Sequence, residues 1–520
     1  MSDRIVVLDY GSQYSQLIAR RVRELQVFCE LKGWNASQED LLTPETKGII
    51  LSGGPNSIYA DGAPYIQDFL LESGLPILGI CYGMQALTHK LGGKVATSSQ
   101  HEYGKAVVTV EEPNALLPRG EHQVWMSHGD RIEALPNGFE VIGRSENSPF
   151  AAMANNDRGY YGLQYHPEVY HTKHGTEVFR RFVIDICGCQ PNWTPKSIIH
   201  DAVEAIRAQV GDAPVLSAVS GGVDSSVATA LVEKALGKNV YAFFVDTGLL
   251  RLNERQQVEE TFRPRLGEHF HTIDARARFI GNLEGVTEPE TKRRIVGETF
   301  IREFEAAARG FGEVRYLVQG TIYPDVVESQ GLGTGHGQRI KTHHNVGGLP
   351  ADMQFEVVEP LRMLFKDEVR EVGEALGLPH ELVWRQPFPG PGLAVRVVGE
   401  VTQKRVQTLQ HADAIFTSEL EKAGLMHLME REDGSLSGTS QAFAVLLPVR
   451  SVGVMGDQRT YAETVSLRAV TTNDFMTADW ARLPYDLLAH VSNRIVNEVE
   501  GVNRVVYDVS SKPPATIEWE

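Results

Sequence analysis

The sequence predicts an α/β protein: two parallel-sheet α/β domains, at residues 1–192 and 193–395, followed by a small α+β domain at 396–520. Three observations carry that prediction. Apolar strand-like runs alternate with helical periodicity through the first two regions, the pattern of parallel sheets covered by helices. A Pro-punctuated segment, Gln190-Pro191-Asn192-Trp193-Thr194-Pro195, separates the two. A rigid hinge, Pro387-Phe388-Pro389-Gly390-Pro391-Gly392, precedes the third, where Ala442–Val449 and Val505–Val509 read as strands and Leu487–Val499 as a helix. A chain of 520 residues suits about three domains.

Composition narrows the function classes. With 42% hydrophobic and 22% charged residues the chain reads as soluble and globular. No apolar run approaches the ~18–20 residues of a membrane span. Met1-Ser2-Asp3-Arg4 leads straight into a strand-like run without a signal peptide, so no membrane partner is expected. The formal charge of −17 argues against a nucleic-acid partner. The four cysteines are Cys29, Cys81, Cys187 and Cys189, too few for a disulfide scaffold, which implies a reducing, cytoplasmic setting. Cys187-Gly188-Cys189 has no second pair nearby, so no zinc site is expected there.

In the first region, Ile5-Val6-Val7-Leu8-Asp9 reads as a buried strand, and a helix follows with Leu17, Ile18, Val22 and Leu25 inward. Ile49-Ile50-Leu51 is a second strand ending at Ser52-Gly53-Gly54-Pro55. Pro76-Ile77-Leu78-Gly79-Ile80 is a third and runs directly into Cys81, after which Met84, Leu87 and Leu91 recur at helical spacing. Cys81 therefore lies on a strand-to-helix turn flanked by Gly79 and Gly83. Small neighbours permit the strained backbone that exposes a nucleophile, and the dipole of the following helix favours the thiolate. Cys29, in an apolar setting, reads as structural. The base expected for Cys81 is His166, at a strand end, with Glu168 two residues on to orient and charge-stabilise it. Backbone N–H groups of Gly53, Gly54 and Tyr82 are the expected oxyanion donors.

Ser52-Gly53-Gly54-Pro55, Gly79-Ile80-Cys81-Tyr82-Gly83-Met84-Gln85 and Tyr165-His166-Pro167-Glu168 resemble the three motifs of the class I glutamine amidotransferases. The resemblance implies that Cys81 attacks the glutamine side-chain amide, forming a γ-glutamyl thioester and releasing ammonia. It also implies that Gln85 holds the glutamine, and that Ser127-His128-Gly129-Asp130 is a loop closing the pocket, with Ser127, His128 and Asp130 as ligands.

In the second region, Val215-Leu216-Ser217-Ala218-Val219 reads as a strand, and Val227, Leu231 and Leu236 as a helix ending at Gly237. Between them lies Ser220-Gly221-Gly222-Val223-Asp224-Ser225-Ser226. Adjacent glycines allow close approach of the backbone, and the helix N-terminus presents unpaired N–H groups, so the turn is a phosphate cradle. It lacks the lysine of a Walker A loop. A carboxylate beside phosphate needs a cation between them, so Asp224 implies Mg²⁺. Val240–Val245 completes a right-handed βαβ unit whose strand ends share one crevice. Lys341, in a long glycine- and histidine-rich segment, and Lys366 are the candidate cations for the phosphates. His336, His343 and His344 show no regular ligand spacing and read as ordinary loop residues.

The seven-residue turn resembles the signature loop of the N-type ATP pyrophosphatases, which cleave ATP between the α and β phosphates and adenylate a substrate. That resemblance places adenosine at the Val245–Leu250 segment. Three further stretches extend it: Phe388–Arg396, Ser451–Asp457 and the tail Ser510-Ser511-Lys512-Pro513-Pro514-Ala515-Thr516-Ile517-Glu518-Trp519-Glu520. With them, the whole chain resembles the bacterial-type, single-chain, glutamine-hydrolysing GMP synthases. The wider resemblance implies MgATP-driven adenylation of xanthosine monophosphate (XMP), glutamine hydrolysis, and transfer of the ammonia without release. It also assigns XMP to Arg396, Arg504, Lys512 and Glu518. The small open sheet of the last region exposes strand edges, and a homodimer through it is expected.

Two other readings fit parts of the pattern. One is another pyrophosphatase-loop amidating or tRNA-modifying enzyme, which the acidic charge and the lack of a basic, aromatic-interleaved stretch disfavour. The other is a non-catalytic regulatory homologue, which the intact Cys81, His166, Glu168 and Asp224 disfavour.

Overall fold

Ile5, Val6, Val7 and Leu8 are all fully buried. Successive side chains of a strand point to opposite faces, so this strand lies in a sheet covered on both sides. Ile5 and Val7 pack in one apolar cluster with Ile50 and Leu78, while Val6 and Leu8 pack in another with Ile49, Leu51 and Ile77. The computed structural model describes residues 2–311, 314–329, 355–430, 436–455, 458–472, 475 and 477–520. Lys341, His336, His343, His344, Gly456 and Asp457 lie outside the described residues.

The chain divides into two compact units. The first gathers residues up to Asp201 with the described residues from Thr321 to Ser329 and with Arg362–Phe365. Its strands are β1 (Arg4–Asp9), β2 (Phe28–Gly33), β3 (Thr46–Leu51), β4 (Ile77–Ile80), β5 (Lys94–Val110), β6 (Gly120–Ala134), β7 (Glu140–Gly143), β8 (Ala152–Asn155) and β9 (Tyr160–Leu163). A seven-stranded sheet runs β2-β1-β3-β4-β9-β8-β7, parallel from β2 to β9 and antiparallel at β8 and β7. The helix Ser15–Glu24 buries Ile18, Ala19 and Val22.

β5 and β6 form a separate antiparallel hairpin. This corrects one expectation: Ser127–Asp130 is part of strand β6, not a loop. The reason is a two-residue alternation, with His122, Val124, Met126 and His128 buried along one face. Paired with β5, that alternation holds the stretch extended.

The second unit holds Ala202–Gly320, the described residues up to Leu361, and Lys366–Glu520. Its parallel sheet runs β12-β11-β10-β13-β14, built from β10 (Val215–Val219), β11 (Val240–Asp246), β12 (Phe270–Asp274), β13 (Tyr316–Val318) and β14 (Glu356–Val358). The helix Val223–Leu236 joins β10 to β11 and stops at Gly237, whose φ is +60°. Strand order reverses at β10, with β11 and β12 on one side and β13 and β14 on the other. Such a switch point opens a crevice at the carboxyl ends, here at the 220–226 turn.

The same unit carries a second sheet. Strand Gln441–Met455 pairs antiparallel with Gln458–Thr471, and the latter pairs with Asp479–Trp480 and, in parallel, with Val502–Tyr507. The first strand is longer than the predicted Ala442–Val449. Its register shifts between Leu447 and Arg450, around Pro448, which cannot donate to the ladder. Helices Gln403–Lys422 and Tyr485–Glu498 cover the sheet through Leu409, Phe416, Val491 and Ile495. Among the described residues no helix is long and apolar enough to cross a membrane.

Candidate active site

β4 ends at Ile80, and the helix Tyr82–Lys90 begins one residue after Cys81. Cys81 bridges them at φ +51°, a conformation that costs a non-glycine residue about 1–3 kcal/mol. Flanking glycines make the turn possible by close packing. A Cβ on Gly79 would stand 2.7 Å from the Gly83 backbone, and one on Gly83 would stand 2.4 Å from the Leu51 carbonyl oxygen. The Cys81 thiol donates to the Ser127 carbonyl at 3.6 Å, and Gln164 Nε2 donates to Cys81 Sγ at 3.8 Å.

His166 follows β9 and is 4% exposed; Glu168 is fully buried. The imidazole Nδ1 lies 2.7 Å from Glu168 Oε1, and Tyr14 packs edge-on to the ring with centroids 5.4 Å apart. Burial works against the imidazolium, but the Glu168 carboxylate and Cys81 outweigh it and raise the His166 pKa well above its ordinary value. The arrangement therefore favours a protonated imidazole at His166. Gly53 lies against the same ring, since a Cβ there would come 3.1 Å from His166 Cε1. Gln85 Nε2 donates to the Asp130 carbonyl at 3.0 Å, the Asp130 carboxylate accepts from Ser57 at 2.6 Å, and His128 lies 3.4 Å from Glu102.

The His166–Glu168 pair sets a pH dependence. Turnover of glutamine, the substrate that the sequence leads one to expect, should fall on the alkaline side, where His166 loses its proton. Glu168 raises that pKa, so Glu168→Gln lowers it. The alkaline limb of kcat/KM for glutamine should move to lower pH by about 1–3 units; an unmoved limb would show that Glu168 does not charge-stabilise His166.

In the second unit, Gly221 has φ +77° and Gly222 is the extended N-cap of the helix Val223–Leu236. Ser220 and Ser225 hydroxyls are 3.0 Å apart, and Ser225 Oγ donates to the Gly222 carbonyl at 3.1 Å. Lys366 opens the helix Lys366–Ala375 and donates to both Asp224 oxygens, at 2.6 and 2.5 Å. That helix packs closely on the loop's own helix: a Cβ on Gly373 would meet Val227 at 2.9 Å. Arg385 donates to the Gly221 carbonyl and to Glu254, whose other oxygen accepts from the Arg251 N–H at 3.0 Å. Burial, then Arg385, brings the Arg251 pKa down to about 10.

The tail lies on buried cations. Arg396, 1% exposed, donates to Glu518 at 2.8 and 3.1 Å, and Gln441 adds a bond at 2.9 Å. Arg468, fully buried, donates to the carbonyls of Ser510 at 2.6 Å and Thr516 at 3.2 Å. Lys512 Nζ donates to the Phe475 carbonyl at 2.7 Å.

Residues 6–186 match the model of class-I glutamine amidotransferases, and residues 429–519 match that of the GMP synthase C-terminal domain. Over all of this chain, 56% of residues are identical to the GMP synthase (glutamine-hydrolyzing) of Thermomicrobium roseum, across 97% of that protein. The protein of the same name from Heliobacterium modesticaldum is 54% identical across all of this chain and 99% of its own. The chain belongs to the glutamine-hydrolyzing GMP synthase family.

Against that family, the structure brings Cys81, His166, Glu168, Gln85, Ser127, His128 and Asp130 into one hydrogen-bonded neighbourhood of the first unit, with Gly53 packed against His166. It brings Asp224 and Lys366 together at the 220–226 loop. Val245 is 2% exposed within an apolar cluster, so its side chain serves the core of this synthase fold. Arg504 is exposed on Val502–Tyr507. Three groups escaped the sequence reading. Gln164, fully buried beside Cys81, had one signal: a polar residue closing an otherwise apolar strand. Glu254 and Arg385 had none, because only the fold brings residues 221, 254 and 385 together.

Proposed function

We propose that the chain makes GMP in two chemistries served by separate residues. As a member of the glutamine-hydrolyzing GMP synthase family it is a C–N ligase with glutamine as amido donor. XMP, ATP, glutamine and water become GMP, AMP, pyrophosphate and glutamate. The observation that carries the division of labour is Cys81 at positive φ beside a His166 already paired to Glu168.

Cys81 Sγ attacks the glutamine side-chain amide carbon, and His166, holding the proton received from the Cys81 thiol, gives it to the departing ammonia. Glu168 holds the imidazole by Nδ1. We assign the oxyanion to the N–H groups of Gly53, Gly54 and Tyr82, and the glutamine to Gln85, Ser127, His128 and Asp130. Water then cleaves the γ-glutamyl thioester.

Residues 220–226 receive the ATP phosphates at a helix N-terminus. XMP O2 attacks the α-phosphorus, pyrophosphate leaves, and ammonia then displaces AMP from C2. Lys366 and Lys341 are the cations assigned to pyrophosphate. Asp224 is the residue that would hold Mg²⁺, and both its oxygens already face a cation, the Lys366 ammonium. One carboxylate sharing the ion with substrate phosphates suits Mg²⁺, which when bound neutralises charge on the leaving group. For XMP we assign Arg504, Lys512, Glu518 and Arg396. Among the described residues Arg396 NH1 is buried without a hydrogen-bond partner, a donor that a ligand could satisfy.

The test is product analysis with ATP, Mg²⁺, glutamine and XMP together. GMP with AMP is expected; GMP with ADP would refute adenylation at this loop.

A homodimer through the last region is supported by an apolar face. Val452 and Val454 alternate on one strand with Tyr461 directly opposite Val452, at 52%, 74% and 63% exposure. A second copy covers such a patch with its own equivalent. Tyr461→Asp should turn a dimer into a monomer by light scattering; an unchanged mass would move the interface elsewhere. The four cysteines are free, in keeping with a cytoplasmic setting.

A further inference from the structure

Lys292 is fully buried in the first turns of the helix Pro289–Ala308. All three of its donors are used. It bonds the Ala394 carbonyl at 3.2 Å, the Val397 carbonyl at 2.8 Å and the Glu520 carboxylate. The other Glu520 oxygen accepts from the Gly399 N–H at 3.1 Å, and the Glu520 carbonyl accepts from Arg293 at 2.5 Å. Burial pushes the Lys292 pKa down, and the bond to Glu520 opposes that.

The partners fall in a pattern. Arg396 grips Glu518; Lys292 grips residues on either side of Arg396 and, two residues beyond Glu518, Glu520. The Glu518 and Glu520 side chains each meet a buried cation. Trp519, between them, is 41% exposed and donates outward to Asp508 at 3.0 Å. A slip of one residue would put Trp519 in place of Glu518 or Glu520, against one of the two buried cations. Buried ion pairs contribute little net stability over apolar replacements of the same shape, but they discriminate strongly between registers.

We propose that Lys292 is a positioning residue for the XMP site: its pair with Glu520 fixes the register of the tail, and so places Glu518 and Lys512 for the nucleotide. This rests on the assignment of the tail to XMP. Lys292 itself touches no substrate.

The experiment uses the full chain with ammonia as nitrogen source, so that glutamine hydrolysis does not enter. Lys292→Met, Glu520→Gln, the double variant Lys292→Met/Glu520→Met, and Glu518→Gln are compared by KM for XMP, KM for ATP, kcat and thermal midpoint. Lys292→Met should raise KM for XMP about ten- to a hundredfold, with KM for ATP and kcat at saturating XMP unchanged. Glu520→Gln, the milder change, should give an intermediate rise. The double variant should regain thermal midpoint, because no buried charge is left unpaired, while its KM for XMP stays raised. Recovery of KM together with the midpoint would show a merely structural pair and overturn the proposal. So would a normal KM in Lys292→Met and Glu520→Gln. In that case a raised KM in Glu518→Gln would leave the tail at the XMP site, and a normal one would remove the tail from it.

Discussion

Cys81→Ala should abolish glutamine-dependent GMP formation while ammonia-dependent formation stays at the wild-type level. The expected loss is on the order of 10³–10⁶, because the variant removes the attacking atom and leaves only substrate binding and the oxyanion donors. No other described cysteine can substitute. Cys29 and Cys189 are buried in the core, and burial pushes the Cys187 thiol well up, away from the thiolate form. Ammonia supplied from solution bypasses Cys81, and Asp224, Ser225 and Lys366, the residues proposed to serve adenylation, belong to the other unit. The measurement is GMP produced with glutamine against GMP produced with an ammonium salt, at fixed ATP and XMP. Alanine accepts φ +51° no better than cysteine, so the thermal midpoint should hardly change. Equal loss with both nitrogen sources would overturn the division of labour.

Local chemistry made much of the fold and site legible. The run Ile5–Leu8 announced a strand buried on both faces, and the glycines around Cys81 announced a turn that only close packing permits. Where the sequence reading stopped short, the cause was pairing between distant residues. Ser127–Asp130 looks like a loop when read alone, with a glycine and three polar residues. It is extended because His122, Val124, Met126 and His128 alternate inward against β5. Lys366 was legible as a candidate phosphate cation, but its protein partner was not. Its partner, Asp224, lies 142 residues earlier, and the Gly373–Val227 contact brings the two helices together. Lys292 carries no local mark at all, since its acceptors are carbonyls and a carboxylate more than a hundred residues away.

Asp224→Ala should remove synthesis with either nitrogen source, by at least about a hundredfold, while basal glutamine hydrolysis persists. Two roles for Asp224 compete. As the residue that would hold Mg²⁺ against pyrophosphate, it acts on the leaving group. As the partner of Lys366, it merely keeps an ammonium in place through bonds of 2.6 and 2.5 Å. A third effect, loss of an acidic residue from the first turn of the helix Val223–Leu236, is worth about 0.3–1 kcal/mol of stability, too little for a hundredfold loss in turnover. The first two separate by titration with Mg²⁺. Asp224→Asn keeps the shape, the cap region and one acceptor for Lys366, but removes the charge that attracts a divalent ion. If Asp224 holds the cation, the Mg²⁺ concentration for half-maximal ammonia-dependent synthesis should rise steeply in Asp224→Asn and stay near wild type in Lys366→Met, whose defect should appear instead as weaker binding of ATP and pyrophosphate. If Asp224 only tethers Lys366, both variants should show the same Mg²⁺ curve and the same loss of pyrophosphate affinity. The first outcome is the expected one: a carboxylate whose two oxygens meet the Lys366 ammonium can receive a divalent cation in its place.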